Sequence, residues 1–584
     1  MDELGAFFAM AGRAIIVRPQ TGSERRKMNR LCGFIRVYSI VAAAVAANFL
    51  AACGSDAGGP NPPADNRVAS VVVSPQTLNL VVGTQQKLIV RLYNAAQVQL
   101  TGHAVSWATD APAVAAVAQD GTVSGVAAGT AHITASSEGQ QATVTVSVSS
   151  TGGGGVAGTI TVNPGVRYQT INGWEAHAQS GHENAAFQSY KDRLFDLAVN
   201  DVGINRLRLE VRSGSENTVD YYQQWRAGQI DDTQWRCVRF ATVNDNSDPR
   251  SINAGGFKFS QLDSMVKNVV LPMRQRLQAR GERLFLNLTY TAFTNTICSG
   301  QYHHDDSAEE YAEIIQAATQ HLRTRYNITP DAYEVILEPD NTPYWRGPTI
   351  GAAIVATAAR LSGMGITPKF IATSTARPAN ADDYFDALAT AVPAAVPHLL
   401  ELSYHRYGSP TTTDLQGLAT RAVQRGISSS MLEHIGSDYQ DLHADLKHAR
   451  VSAWQQFALA FGSNDDGSQY FTVSGSTVNV ASRTRFLRQY FKFVRAGAVR
   501  VGASSANTAL DPLAFINTNG GYVVVVKATA GASFTVGGLP AGQYGIKYTT
   551  TSAYDVDHPD VTLGASQTLS TSIPTAGVLT IYRK

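Results

Sequence analysis

The chain has 584 residues, 44% of them hydrophobic, and its 47 basic and 46 acidic side chains leave a net charge of +1. That length allows several domains with large cores, and the composition excludes a disordered chain. The near-cancelling charge argues against nucleic acid as a main partner. Four cysteines are too few for a disulfide scaffold, and they lack paired zinc spacing.

Residues 37–52 (VYSIVAAAVAANFLAA) are an apolar run, preceded by Arg25, Arg26, Lys27, Arg30 and Arg36 and followed by Cys53. The run is short for a bilayer span. Basic residues, a short apolar segment and Leu50-Ala51-Ala52-Cys53 together resemble a bacterial lipoprotein signal. The resemblance implies that 1–52 is a signal region, with Met28 as the expected true start, and that Cys53 becomes the lipidated N-terminus. Gly54 stands where an inner-membrane retention Asp would be, which points to the outer membrane or cell surface of a Gram-negative bacterium. Residues 53–66 are Gly-, Pro- and Asp-rich and read as a tether.

Residues 67–150 alternate apolar and polar over short runs separated by turn signals, the pattern of a small β-sandwich. Within VSWATDAPAVAAVAQDGTVSGVAAGTAHITA, the positions of Trp107, Asp120-Gly121, Gly125 and Gly129 resemble the bacterial immunoglobulin-like group 2 module. Its role is either adhesion to a glycan or spacing of the next domain from the membrane. The Gly-rich stretch 151–157 is a linker.

From residue 170 the pattern changes to apolar strands alternating with amphipathic helices. Strands are expected at 171–176, 204–211, 283–290, 333–338, 369–375, 399–405, 429–434 and 453–461. Helices are expected at 187–199, 259–280, 307–325, 349–363, 380–391, 413–425, 440–451 and 482–495. Gly281, Gly365 and Gly426 fall at helix ends, and Ser307 with Glu310 reads as a capping box. Eight such units predict a (β/α)8 barrel over 158–495, with enlarged loops at 212–258 and 291–306 and chemistry at the carboxyl ends of the strands. Residues 496–584 alternate around Asn-Gly and Gly-Gly turns and predict a C-terminal antiparallel β-sandwich, to which 158–170 is expected to add strands.

Expected strand four ends in Ile336-Leu337-Glu338-Pro339 and strand seven in Met431-Leu432-Glu433-His434. Two carboxylates facing each other across a barrel mouth suit glycoside hydrolysis, in which one protonates the leaving oxygen and the other attacks or stabilises the anomeric carbon. The chain resembles clan A retaining glycoside hydrolases, and family 30 in particular, across about residues 158–584. The motifs that carry this are TINGWEAH (170–177), GINRLRLEV (203–211), the two Glu-ended strands, SYHRYG (403–408) and FKFVRAGAVRVGASSAN (491–507). The resemblance implies that Glu338 is the acid/base and Glu433 the nucleophile, that Arg208 supports the nucleophile, and that His405 and Tyr407 line the site. One position departs. Leu337 stands where the clan usually carries an Asn that bonds the sugar 2-hydroxyl, and an apolar side chain cannot make that bond.

Trp174 reads either as a sugar platform or as a core residue. Tyr344, Trp345, Trp225 and Trp235 are candidates for stacking on sugar rings, Trp345 foremost, or for pinning loops. Glu175 is the further carboxylate expected to touch substrate, while Glu210, Asp340 and Asp438 read as local structure. His303-His304-Asp305-Asp306 is read as solvated cap residues; no metal and no cofactor are expected. Cys237 and Cys298, in loops after neighbouring strands, are a disulfide candidate, with two free thiols as the alternative. The expected partners are a β-linked polysaccharide and a lipid anchor in the membrane, and the expected state is a monomer. The rival reading is a non-catalytic glycan-binding or adhesin lipoprotein on a degenerate barrel.

Overall fold

A computed structural model of the chain describes residues 66–83, 85–95, 98–149, 158–293, 304, 307–342 and 344–584. The basic segment, the apolar run, Cys53, Cys298, His303, Asp305 and Asp306 lie outside the described residues. Among the described residues no helix is long and apolar enough to cross a membrane.

The first module is built of short strands in small sheets, with the strand Gln140–Ser149 paired antiparallel to Gly129–Ser137 and parallel to Thr77–Val81. Its core gathers Val71, Leu78, Leu92, Val123, Ile133 and Val146. Gly121 has φ +83°, and a Cβ there would sit 2.9 Å from the Trp107 ring. The turn therefore needs a residue without a side chain, which accounts for the Asp-Gly beneath the tryptophan.

Eight parallel strands close into a barrel: β1 (Gly173–His177), β2 (Arg206–Arg212), β3 (Phe285–Thr291), β4 (Ala332–Glu334), β5 (Phe370–Thr375), β6 (Leu399–His405), β7 (Ser428–Glu433) and β8 (Val451–Ala458). Helices cross between them, among them α1 (Phe187–Asp196), α2 (Leu271–Ala279), α3 (Ala308–Tyr326), α4 (Gly347–Gly363), α5 (Pro378–Ala391), α6 (Thr412–Arg425), α7 (Tyr439–Ala444) and α8 (Ser482–Phe491). The expected strands and helices lie close to their expected places, except that strand four is cut short and the helices expected at 187–199, 259–280 and 440–451 are interrupted or ended by π-helical turns at Leu197–Val202, Val266–Val270 and Asp445–Ala449.

In β2 the alternation of RLRLEV has a direct structural meaning. Leu207, Leu209 and Val211 join the core outside the barrel, while Arg206 and Arg208 turn inward to carboxylates. Gly426 ends α6 in the left-handed region at φ 65°. Ser307 caps α3, but Glu310 does not complete the box: its carboxylate accepts from Asn244 Nδ2 at 3.2 Å instead.

Strand four is shorter than expected. Its ladder stops at Glu334, and residues 335–338 are held by single bonds, Leu337 N to Tyr290 O and Glu338 N to Ser374 O, both 3.0 Å. Val335 N–H still reaches Ile371 O at 3.1 Å, and Glu338 itself takes a left-handed backbone, φ 52° and ψ 60°.

Residues 158–170 belong to the C-terminal sheet, as expected. The strand Gly158–Thr170 pairs antiparallel with Val499–Ser505 and parallel with Ala532–Gly537, in a nine-stranded sheet whose other strands come from the C-terminal module. Ile160, Val162, Phe534, Ile546 and Leu569 lie in its core.

Candidate active site

Glu338 and Glu433 meet at the carboxyl ends of the barrel strands. Each brings an oxygen within 4.8 Å of the other's and of a His405 nitrogen. Both residues are almost fully buried, at 3% and 0% exposure. Their partners differ. Glu433 is held by two cation or hydroxyl donors: Arg208 Nη2 on Oε2, and Tyr407 O–H on Oε1 at 3.1 Å. Arg208 also donates to the Leu432 carbonyl at 3.1 Å, which locks the guanidinium against β7. Glu338 receives the Asn341 amide on Oε2 at 2.8 Å and faces His405 Nδ1 across 2.9 Å on Oε1. Its left-handed backbone costs on the order of 1 kcal/mol and aims the carboxyl into the mouth.

The electrostatics follow from burial. Burial by itself disfavours the charged form of Arg208, and Glu433 and Glu334 more than offset this, so the guanidinium stays cationic. Burial, reinforced by Glu433 and Glu338, pushes the Tyr407 hydroxyl well above its ordinary value, so it remains a donor. Burial would depress His405, but Glu433 and Glu338 override it and raise the imidazole. Burial takes His177 and His434 down to about 4 and leaves them neutral, although Glu210 stands 3.8 Å from the first and Asp441 4.0 Å from the second.

Arg208, His405 and Tyr407 are thus brought together with the two carboxylates, Arg208 and Tyr407 on Glu433 and His405 on Glu338. Three other assignments are corrected. Trp174 is not a sugar platform: it is fully buried, stacks on Phe491 at 4.4 Å and donates its indole N–H to Val494 O at 2.7 Å. Its side chain points out of the barrel, because alternation in β1 sends Glu175 inward. Glu175 does not reach substrate either. It is fully buried with its carboxylate on Arg206 Nε at 2.8 Å, in an inner layer where Arg206 also pairs with Glu401 at 2.7 Å. Trp345 packs in the core against Tyr311 at 5.4 Å and Tyr290 at 6.1 Å, only 2% exposed.

Trp225 and Trp235 stack on each other at 5.5 Å and pin the second loop. His304 is buried, its ring nitrogens 2.7 Å from the Tyr290 hydroxyl and 2.5 Å from Glu216 Oε2, rather than solvated at a helix start. Asp340 binds the Ala376 N–H at 2.6 Å and Asp438 caps α7, both local structure as read. Cys237 is disulfide-bonded. Leu337 is buried directly before Glu338.

Sequence reasoning missed Asn341, Glu334 and His177. Asn341 lies three residues past Glu338 in the turn Pro339–Asn341, and Glu-Pro-Asp-Asn was the available signal. Glu334 and His177 sat in strands read as apolar or as entry motif.

Residues 67–148 match the family model described as bacterial Ig-like domain (group 2). No curated protein matches the chain. Among solved structures, the catalytic domain of a family 30 xylanase C from Talaromyces cellulolyticus superposes with a TM-score of 0.54 at 17% identity, over 73% of this chain and 100% of that one. A family 30 endoxylanase from Clostridium papyrosolvens C71 gives 0.52 at 17% identity, over 73% and 100%. An endo-β1,6-glucanase gives 0.51 at 15%, over 73% and 94%. The fold is that of family 30 glycoside hydrolases. Barrel and side sheet are shared with those enzymes, and the Glu338–Glu433 pair lies at the end of the barrel where such folds place their chemistry.

Proposed function

We propose that the chain is a retaining glycoside hydrolase acting on a β-linked polysaccharide or oligosaccharide. The observation that carries the reading is the Glu338–Glu433 pair, with oxygens within 4.8 Å. Retaining enzymes hold their carboxyl groups about 5–5.5 Å apart, and inverting ones about 6.5–9.5 Å to admit a water. The unlike surroundings assign the roles. Glu433, gripped by Arg208 and Tyr407, is kept as the anionic nucleophile. Glu338, facing an imidazole and an amide, delivers a proton to the glycosidic oxygen and then takes one from water.

The roles predict unlike failures. Glu433→Ala is expected to lose several powers of ten on every substrate. Glu338→Ala is expected to hydrolyse polymer very poorly yet still release dinitrophenolate, which leaves without a proton, and azide is expected to speed its turnover. Azide rescue of Glu433→Ala to a retained product, or full polymer activity in Glu338→Ala, overturns the assignment. Leu337 favours a second reading, a glycan-binding lipoprotein on an inactive barrel; absence of hydrolysis on any β-glycan or aryl glycoside decides for it. We also propose that Cys53 carries the lipid that tethers the protein at the cell surface, a reading supported by the segment before it.

A further inference from the structure

Glu334, one turn of strand below Glu338, is fully buried in the barrel. Its Oε2 accepts from Asn287 Nδ2 at 2.8 Å, and its Oε1 has no hydrogen-bond partner among the described residues. His405 Nε2 likewise has none. These two orphan atoms face each other across 4.0 Å. The opposite ring nitrogen, Nδ1, is the one 2.9 Å from Glu338 Oε1. One imidazole therefore stands between two carboxylates, one in the mouth and one beneath it. At 4.0 Å the lower contact is too long for a hydrogen bond and acts as a charge. In a site shielded from water such a charge is felt strongly.

We propose that Glu334 is a positioning residue that keeps a proton on His405 Nε2, so that Nδ1 is the nitrogen that trades its proton with Glu338. The tautomer of an imidazole is set by what its far nitrogen faces. Here the far nitrogen faces an anion. With Nε2–H fixed, the neutral ring, the form present above the raised pKa of His405, is a strong acceptor at Nδ1 and takes the O–H of the protonated Glu338. In the first step that O–H bond breaks toward the glycosidic oxygen, whose bond to the anomeric carbon breaks with its electron pair, while Glu433 bonds to that carbon. Glu338 is then a carboxylate facing an Nδ1 lone pair, an opposition that makes it a stronger base. In the second step it takes a proton from water, the water oxygen bonds to the anomeric carbon, and the bond to Glu433 breaks back to the carboxylate. Without Glu334 the ring is free to carry its proton on Nδ1 and donate it to Glu338, holding that carboxyl ionised and useless as an acid. The groups around His405 are Glu334 at the end of the fourth strand and Glu338 beyond it, Glu433 closing the seventh and His434 after it, Arg208 from the second and Tyr407 after its own. Among them Glu334 is the carboxylate set against Nε2.

The catalytic part of this inference rests on the hydrolase reading, whereas the tautomer does not, so two measurements separate them. The first is the 15N spectrum of the full chain labelled in histidine, with His405 assigned by its loss in His405→Gln. The wild type is expected to show a protonated Nε2, and Glu334→Gln is expected to move the proton to Nδ1, while Glu334→Asp retains it on Nε2. A wild-type spectrum with a bare Nε2 and a protonated Nδ1 overturns the proposal without any variant. The second compares aryl glycosides. Glu334→Gln is expected to lose about 10–100-fold on a phenyl glycoside while its dinitrophenyl glycoside rate falls less than threefold, a split that general distortion of the barrel would not produce. Equal losses on both overturn it. If the wild type cleaves neither, the hydrolase reading fails and the spectrum alone decides what Glu334 does.

Discussion

Glu313 offers a test of the physics around the barrel that needs no substrate. It lies on α3, fully buried, and neither carboxyl oxygen has a hydrogen-bond partner among the described residues. Burial, with Asp245 and Glu310 nearby adding negative charge, pushes its carboxyl from 4.5 up to about 8. The folded chain therefore keeps a proton on Glu313 between pH 4.5 and about 8, while the unfolded chain has lost it. The folded state binds more protons in that window, so stability falls as pH rises through it. From 4.5 to 7, at roughly 1.36 kcal/mol per pH unit, the loss amounts to about 3 kcal/mol. Glu313→Gln keeps the shape and removes the titration. Urea unfolding followed by tryptophan fluorescence reports mainly on the barrel region, which holds five of the six tryptophans. The variant is expected to gain about 3 kcal/mol on the wild type between pH 4.5 and pH 7, whatever its offset at pH 4.5. Any cost of burying an amide without partners enters that offset and not the slope. A difference between variant and wild type that stays constant within about 0.5 kcal/mol over this range refutes the reasoning.

Trp174→Ala is expected to cost about 3–5 kcal/mol, as loss of a large buried ring does, and to lower the melting temperature while leaving the KM of the folded fraction unchanged. A selective rise in KM without loss of stability would restore the platform role. Expression with labelled palmitate is expected to mark the wild type and not Cys53→Ala; equal labelling of both refutes the anchor.

Much of this architecture is legible in the chain because its signals are local. Period-two alternation in RLRLEV, glycines at helix ends and Glu-terminated apolar strands depend on neighbours in sequence. They were enough to give the barrel, the side sheet, the immunoglobulin-like module and the pairing of Glu338 with Glu433. Arg208, His405 and Tyr407 were legible only through the family resemblance of GINRLRLEV and SYHRYG, whose residues lie within β2, at the end of β6 and just after it.

What only the tertiary structure decided is which way each ambiguous side chain points and what it meets. Trp174 and Glu175 are adjacent in β1, so one must face the helices and the other the interior. Composition cannot say which; the register of β1 against β2 and β8 does, sending the indole onto Phe491 and the carboxylate onto Arg206. Trp345 follows Glu338 closely in sequence, yet its indole packs on Tyr290 and Tyr311 in the core. The same holds for Glu334. In sequence it is the inner of two acids in the otherwise apolar segment YEVILE. Its place beneath His405 exists only because strands four and six, 71 residues apart at these positions, are closed into one barrel. Long-range closure brings unlike charges into a dry interior, and that energy is written in distances that no local pattern carries.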